Sequence, residues 1–180
     1  VTEVEYRLFE NDFFMSIRLK NIDHQEYPAG FGFHPYFARG NGSNSAQVQV
    51  PCEMYYELQH ARPTSGIPQP VPEQLDFRQL RPLSDSPVDD VFTSRKGSGP
   101  AKIVYSDWNL RLDMNADDIY KHFILFSPKD KPFFALEPIT NTNDGFNLYD
   151  RGVADTGVFL LKPGQERQGT VRLRVHQGNT

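Results

Sequence analysis

The 180-residue sequence holds one cysteine, Cys52, one tryptophan and three methionines, and each scarcity excludes something. A single cysteine cannot form an internal disulfide, and without neighbouring His or Cys at ligand spacing it reads as a small core residue. No apolar run approaches the roughly 20 residues that cross a bilayer as a helix, and the first residues show neither a basic nor an apolar leader pattern. Lys and Arg number 19 against 23 Asp and Glu, so the net charge of −4 supplies no field to attract nucleic acid or anionic lipid. The expectation is a soluble, cytoplasmic protein with neither a nucleic-acid nor a membrane partner.

Amphipathic helix is also missing. No dozen residues carry apolar positions at helical spacing while escaping Pro and Gly, and the chain has 14 Pro and 13 Gly. What is abundant is aromatic: 14 Phe and eight Tyr favour strands. Apolar and polar residues alternate in Val4-Tyr6-Leu8 and in Met15-Ile17-Leu19, with the turn-forming Glu10-Asn11-Asp12 between them, which predicts a hairpin. The same period recurs at Val48-Val50, Leu110-Leu112-Met114 and Val171-Leu173-Val175. Each segment reads as a half-buried antiparallel strand, and many short strands joined by Pro, Gly and Asn turns predict a sandwich or barrel. Residues 61–72, with four prolines, read as an extended surface connection and residues 94–100 as a flexible loop. Neither marks a domain boundary, so residues 1–180 form a single domain.

Three segments could carry chemistry. In Phe31-Gly32-Phe33-His34-Pro35-Tyr36-Phe37 a titratable side chain sits among four aromatics. A histidine in that setting is commonly a packing residue, but Pro35 forces His34 into extended backbone and removes a ladder donor, so the strand is expected to end or bulge there and aim side chains at a cleft. In Phe133-Phe134-Ala135-Leu136-Glu137-Pro138 a carboxylate lies in an apolar run, where lost solvation would raise its pKa towards that of a neutral-pH base. A salt-bridged structural Glu is the competing reading. In Val88-Asp89-Asp90-Val91-Phe92 neighbouring carboxylates point to opposite faces of a strand, one towards a site and the other towards solvent or a turn. His24, His60, His122 and His176 have no partner at metal-ligand spacing and read as surface residues, so no metal is expected. Phosphate-binding loops, serine elbows and Cys-X-X-Cys motifs do not occur.

Taken in order, FGFHPYF, VDDVF, FFALEPITNTNDGFN and FLLKPGQERQGTVRLRV resemble the aldose 1-epimerase (galactose mutarotase-like) family. The resemblance covers essentially the whole chain. It implies an all-β fold, an antiparallel β-sandwich of the large galactose mutarotase-like supersandwich type, with a sugar cleft across one sheet. It implies an isomerase of monosaccharides that uses no cofactor, with His34 as the general acid and Glu137 as the general base of ring opening. Asp89 matches the family's acceptor of sugar hydroxyl hydrogen bonds, and Asp90 stands where a histidine is frequent. Phe33 or Tyr36 would supply an aromatic wall, and Asn141 or Asp144 would support the cleft. The family's N-terminal Arg motif and second histidine have no counterpart here. The expectation is therefore a carboxy-terminal portion of a longer chain, with exposed sheet edges and an incomplete sugar grip. A homodimer is compatible with this reading. Three other functions use the same residues: mutarotation of a hexose 6-phosphate, which needs cations such as Arg39 or Arg151 at the cleft; a noncatalytic carbohydrate-binding sandwich; and glycoside hydrolysis by Asp89 and Glu137.

Overall fold

A computed structural model describes residues 1–40, 46–60, 62–63, 66–83, 87–97 and 99–178. The first strands in chain order are β1 (Thr2–Phe9), β2 (Asp12–Lys20), β3 (Tyr27–Ala29), β4 (Tyr36–Ala38), β5 (Gln47–Gln49) and β6 (Cys52–Tyr56). Then come β7 (Leu58–Gln59), β8 (Arg62–Pro63), β9 (Gln69–Pro70), β10 (Arg81–Pro82), β11 (Val88–Arg95) and β12 (Ala101–Tyr105). The series closes with β13 (Leu110–Ala116), β14 (His122–Ser127), β15 (Phe133–Ile139), β16 (Phe159–Leu161) and β17 (Glu166–Gln177). Among the described residues one short α-helix, α1 (Gly145–Asp150), follows β15.

Seven strands form one antiparallel sheet in the order β1-β2-β17-β13-β12-β5-β10, and six form a second in the order β4-β15-β14-β11-β6-β9. The alternating residues of the two sheets meet in one core. Met15, Ile17, Val48, Ile103, Met114 and Val171 from the first face Phe92, Phe123, Leu125, Phe134 and Leu136 from the second. Burial of such rows is the main favourable term, at about 1.5–3 kcal/mol for each large apolar side chain. Cys52 lies in the same core, where burial pushes its thiol up to about 12 and leaves it unreactive.

The hairpin forms as read, with Val4 opposite Ile17 and Tyr6 opposite Met15, and Glu10 takes the positive φ of its turn at 51°. Its burial does not follow. Every residue of β1 is exposed, with Tyr6 at 61% and Leu8 at 76%. Val4, Tyr6 and Leu8 point the same way as the buried Met15 and Ile17, but β1 is the edge of its sheet. Phe33 reaches across from the opposite side, its ring 6.4 Å from that of Tyr6. Periodicity reports which face is apolar and cannot report whether another layer covers it.

Two connections also differ from expectation. Ser94 and Arg95 belong to the end of β11 and not to a loop, because Arg95 pairs with Cys52 and its guanidinium donates to the carbonyls of Ala116, Asp117 and Tyr120. Within 61–72, the described residues include the short pairings of β8 with β7 and β9 with β6.

Candidate active site

The FGFHPYF segment runs antiparallel to β15. Gly32 bridges Ile139, and beyond Pro35 the pairing resumes with Tyr36 opposite Ala135. Both contacts share one register, so there is no bulge: the strand is interrupted over residues 33–35, as expected at Pro35, and β4 begins at Tyr36 with the alignment kept across the gap. That alignment puts His34 opposite Glu137. Directly opposed side chains stand on the same face of a sheet within contact distance, and His34 Nε2 lies 3.0 Å from Glu137 Oε1. Gly32 permits the close approach, since a Cβ there would lie 2.6 Å from Ile139 Cγ2.

Alternation sorts the neighbouring aromatics. Tyr36, two residues beyond His34, shares its face, and the two rings stack at 4.6 Å while Phe133 meets Tyr36 edge-on at 5.3 Å. Phe33 and Phe37 point the other way, into the inter-sheet core. Phe33 is therefore a packing residue against Tyr120 and Tyr6, and of the two aromatics expected to wall the site Tyr36 is the one on its face.

Glu137 is 6% exposed, whereas the side chain of His34 is about half exposed. Burial, reinforced by the negative charge of Asp89, pushes the Glu137 carboxyl up to about 7. Asp89 reaches the same face through the ladder: it pairs with Phe126 of β14, which pairs with Ala135 of β15, two residues from Glu137. The backbones of the two acids are about 12 Å apart at ordinary strand spacing. Burial also raises Asp89. Asp90 faces away and accepts a hydrogen bond from the Leu58 backbone at 3.3 Å.

The remaining expectations divide. Asn141 lies beyond the end of β15, where its Oδ1 accepts from Thr140 Oγ1 and its Nδ2 donates to the Thr142 carbonyl, under the backbone of Gly30. It borders a depression with Asp144, Phe146 and Asn147 whose lining also takes in Gly32, Ile139 and Ile124, the last directly opposite Glu137. Arg39 is 8% exposed and donates to the Pro128 carbonyl, while Arg151 sits 4.0 Å from Asp144 near α1. Burial of Arg39 removes one cation that phosphate recognition would need.

His122 is not a surface residue: it is fully buried, with Nδ1 2.8 Å from Thr93 Oγ1 and Nε2 3.2 Å from the Thr156 carbonyl. Burial drives it down to about 4, so it stays neutral. Sequence reasoning missed it, although its place at the head of the apolar run His122-Phe123-Ile124-Leu125-Phe126 was the same kind of signal that marked Glu137.

The fold and this pair define an antiparallel β-sandwich protein with a contacting histidine and glutamate on the outer face of one sheet. Residues 1–174 match the family model described as Aldose 1-epimerase, and the chain belongs to that family. It is 23% identical over 166 residues to the uncharacterized protein YphB of Escherichia coli K12, a match covering 89% of this chain and 55% of that protein. A crystal structure of a putative aldose 1-epimerase from Escherichia coli K12 superposes with a TM-score of 0.81 at 22% identity, covering 98% of this chain and 60% of the other. A galactose mutarotase-like protein from Clostridium acetobutylicum gives 0.78 at 20% identity, covering 97% and 55%. The chain thus spans little more than half the length of these relatives.

Proposed function

We propose that His34 and Glu137 interconvert the α and β anomers of a free hexose by opening and reclosing its ring. The observation that carries this reading is the contact between an imidazole and a carboxyl raised to about 7, at 3.0 Å. Mutarotation moves one proton from the anomeric hydroxyl and delivers another to the ring oxygen, and these two oxygens are bonded to the same carbon. An acid and a base that touch each other in the empty site are close enough together to serve both. Two carboxylates acting across a glycosidic bond stand about 5–9.5 Å apart, and the touching pair here is a His with a Glu.

In the reactive form Glu137 is ionised and His34 protonated. Glu137 takes the proton from O1 as His34 Nε2 donates to O5; the C1–O5 bond breaks and the aldehyde forms. After rotation about C1–C2 the protonated Glu137 returns its proton to the carbonyl oxygen, His34 takes the hydroxyl proton from O5, and the opposite anomer closes. The pair carries one shared proton throughout, so it ends each turnover as it began. Asp89 accepts hydrogen bonds from hydroxyls remote from C1, and the exposed ring of Tyr36 lies against a C–H face of the sugar. The names of the neighbouring structures, putative aldose 1-epimerase and galactose mutarotase-like protein, support the same chemistry.

Polarimetry of freshly dissolved α-glucose and α-galactose with the full-length protein tests the proposal. The protein is expected to accelerate the approach to equilibrium over buffer, and Glu137→Gln to lower kcat by about 100-fold or more with little change in KM. Sugar binding with a rate equal to buffer would instead favour a noncatalytic module, and an unchanged rate in Glu137→Gln would remove Glu137 from the mechanism.

A further inference from the structure

A second cavity, of about 700 Å³, opens on the same face of the six-stranded sheet. It is displaced from the catalytic pair by the sheet geometry. One cross-strand row runs Glu137, Ile124, Val91, Tyr56, and Tyr56 at its far end lines the cavity. Three strand spacings, about 14 Å, separate the Tyr56 backbone from that of Glu137, while His122 at the near edge of the cavity is one strand and two residues away, about 8 Å.

The floor of this cavity is polar and uncharged. The Thr156 carbonyl can only accept, so His122 Nε2 carries the proton and Nδ1 must accept from the Thr93 hydroxyl. The oxygen of Thr93 is left with lone pairs to offer. Tyr56 is 1% exposed, and its hydroxyl has no hydrogen-bond partner among the described residues. A buried unpaired hydroxyl is destabilising, and a small shift of the Tyr56 ring towards the cavity would let an occupant with hydroxyl groups satisfy it as donor and acceptor. Burial raises the Tyr56 phenol, which keeps its proton at neutral pH.

The walls disfavour a charged guest. Arg95 directs both terminal nitrogens to main-chain carbonyls, and Lys121 at the rim is balanced by Asp118 and Asp155. Tyr149 and Val153 present apolar surface. Hydroxyl partners at the bottom, aromatic and aliphatic surface at the sides and balanced charge at the rim suit a neutral polyhydroxylated ring.

We propose that this cavity is a second carbohydrate site, taking a neutral sugar through the Tyr56 and Thr93 hydroxyls and the face of Tyr149, without contact with His34 or Glu137. The probe is methyl α-D-glucopyranoside, which has no free anomeric hydroxyl and cannot mutarotate. Titration calorimetry and saturation-transfer NMR should show it binding to the protein, with affinity about 3- to 10-fold weaker in Tyr56→Phe. Tyr149→Ala should weaken it comparably, and Glu137→Gln should leave it unchanged. Thermal melts separate a binding effect from a folding one, since Tyr56→Phe removes an unpaired hydroxyl and should melt at or above the wild-type temperature. In the same samples Tyr56→Phe should retain glucose mutarotation and Glu137→Gln should lose it, so the second site and the catalytic reading fail independently. The inference is overturned by absence of binding up to 50-fold excess over typical millimolar sugar affinities, by unchanged binding in both tyrosine variants, by loss of binding in Glu137→Gln, or by tighter binding of glucose 6-phosphate than of the neutral glycoside.

Discussion

Glu137 is held in a state that opposes stability and, in the proposed reaction, would favour proton transfer. Its carboxyl is raised from 4.5 to about 7 by burial and by Asp89, so the folded protein disfavours its ionised form. For an acid shifted upwards, stability is fully present below the unfolded value and is lost as pH rises through the folded one, here between about pH 4.5 and 7. A shift of that size corresponds to about 3 kcal/mol at pH 8. Glu137→Gln, which does not ionise, should therefore gain stability over the wild type across that interval and keep a constant advantage above it, as read from denaturant midpoints at pH 5 and pH 8. Activity should move the other way. The base must be ionised, so kcat/KM of the wild type should fall about tenfold per pH unit below an acid limb near pH 7. A flat profile from pH 5 to 8 would exclude the raised carboxyl as the base. At this scale the sequence showed the residue types and the apolar run around Glu137. It left open whether His34 and Glu137 were packing, salt-bridged or poised, because pKa depends on what a side chain meets across the sheet.

Among the elements, β1 and the FGFHPYF segment show how a correct pattern can carry incomplete information. The alternation in β1 identifies its apolar face and its hairpin partner, yet Val4, Tyr6 and Leu8 stay exposed because the strand lies at a sheet edge. An exposed apolar strand edge invites association. The 180-residue chain should therefore sediment with concentration-dependent mass, and the double variant Tyr6→Lys with Leu8→Lys should shift it towards monomer without loss of strand content by circular dichroism. A wild-type chain that is monomeric at all concentrations would show that this face does not self-associate. In the FGFHPYF segment, the proline was legible as an interruption of the ladder, whereas continuity of register through it was not. That continuity depends on Phe33 donating to the Pro138 carbonyl on one side and on the Tyr36–Ala135 pairing on the other.

Across the whole molecule, the first hairpin and the last strand are clamped by charge. Arg172 Nε and Arg174 Nε donate to Asp12 Oδ1 at 2.7 and 2.8 Å, and Arg174 Nη2 donates to Oδ2 at 2.8 Å, joining β2 to β17 across some 160 residues of sequence. The two guanidinium groups hold the Asp12 carboxyl well below the usual carboxylate range. A carboxylate lowered in this way contributes stability above its unfolded value and loses it as pH falls through the folded one. Asp12→Asn should melt below the wild type at pH 7, with the gap narrowing as the pH drops below about 4. An equal gap at pH 7 and pH 3 would rule out the ionised clamp as its source.

By itself the sequence determined the all-β class, the hairpin, the core-facing rows and the short set of residues able to move a proton, because alternation, turn chemistry and side-chain type are local properties. Only the tertiary structure decided that His34 touches Glu137, that Phe33 packs inward while Tyr36 faces the site, and that His122 is buried beneath a cavity shared with Tyr56. These outcomes depend on strand register and on what covers each face. Both are set by pairings between residues about 100 positions apart, such as Tyr36 with Ala135, and no local pattern encodes them.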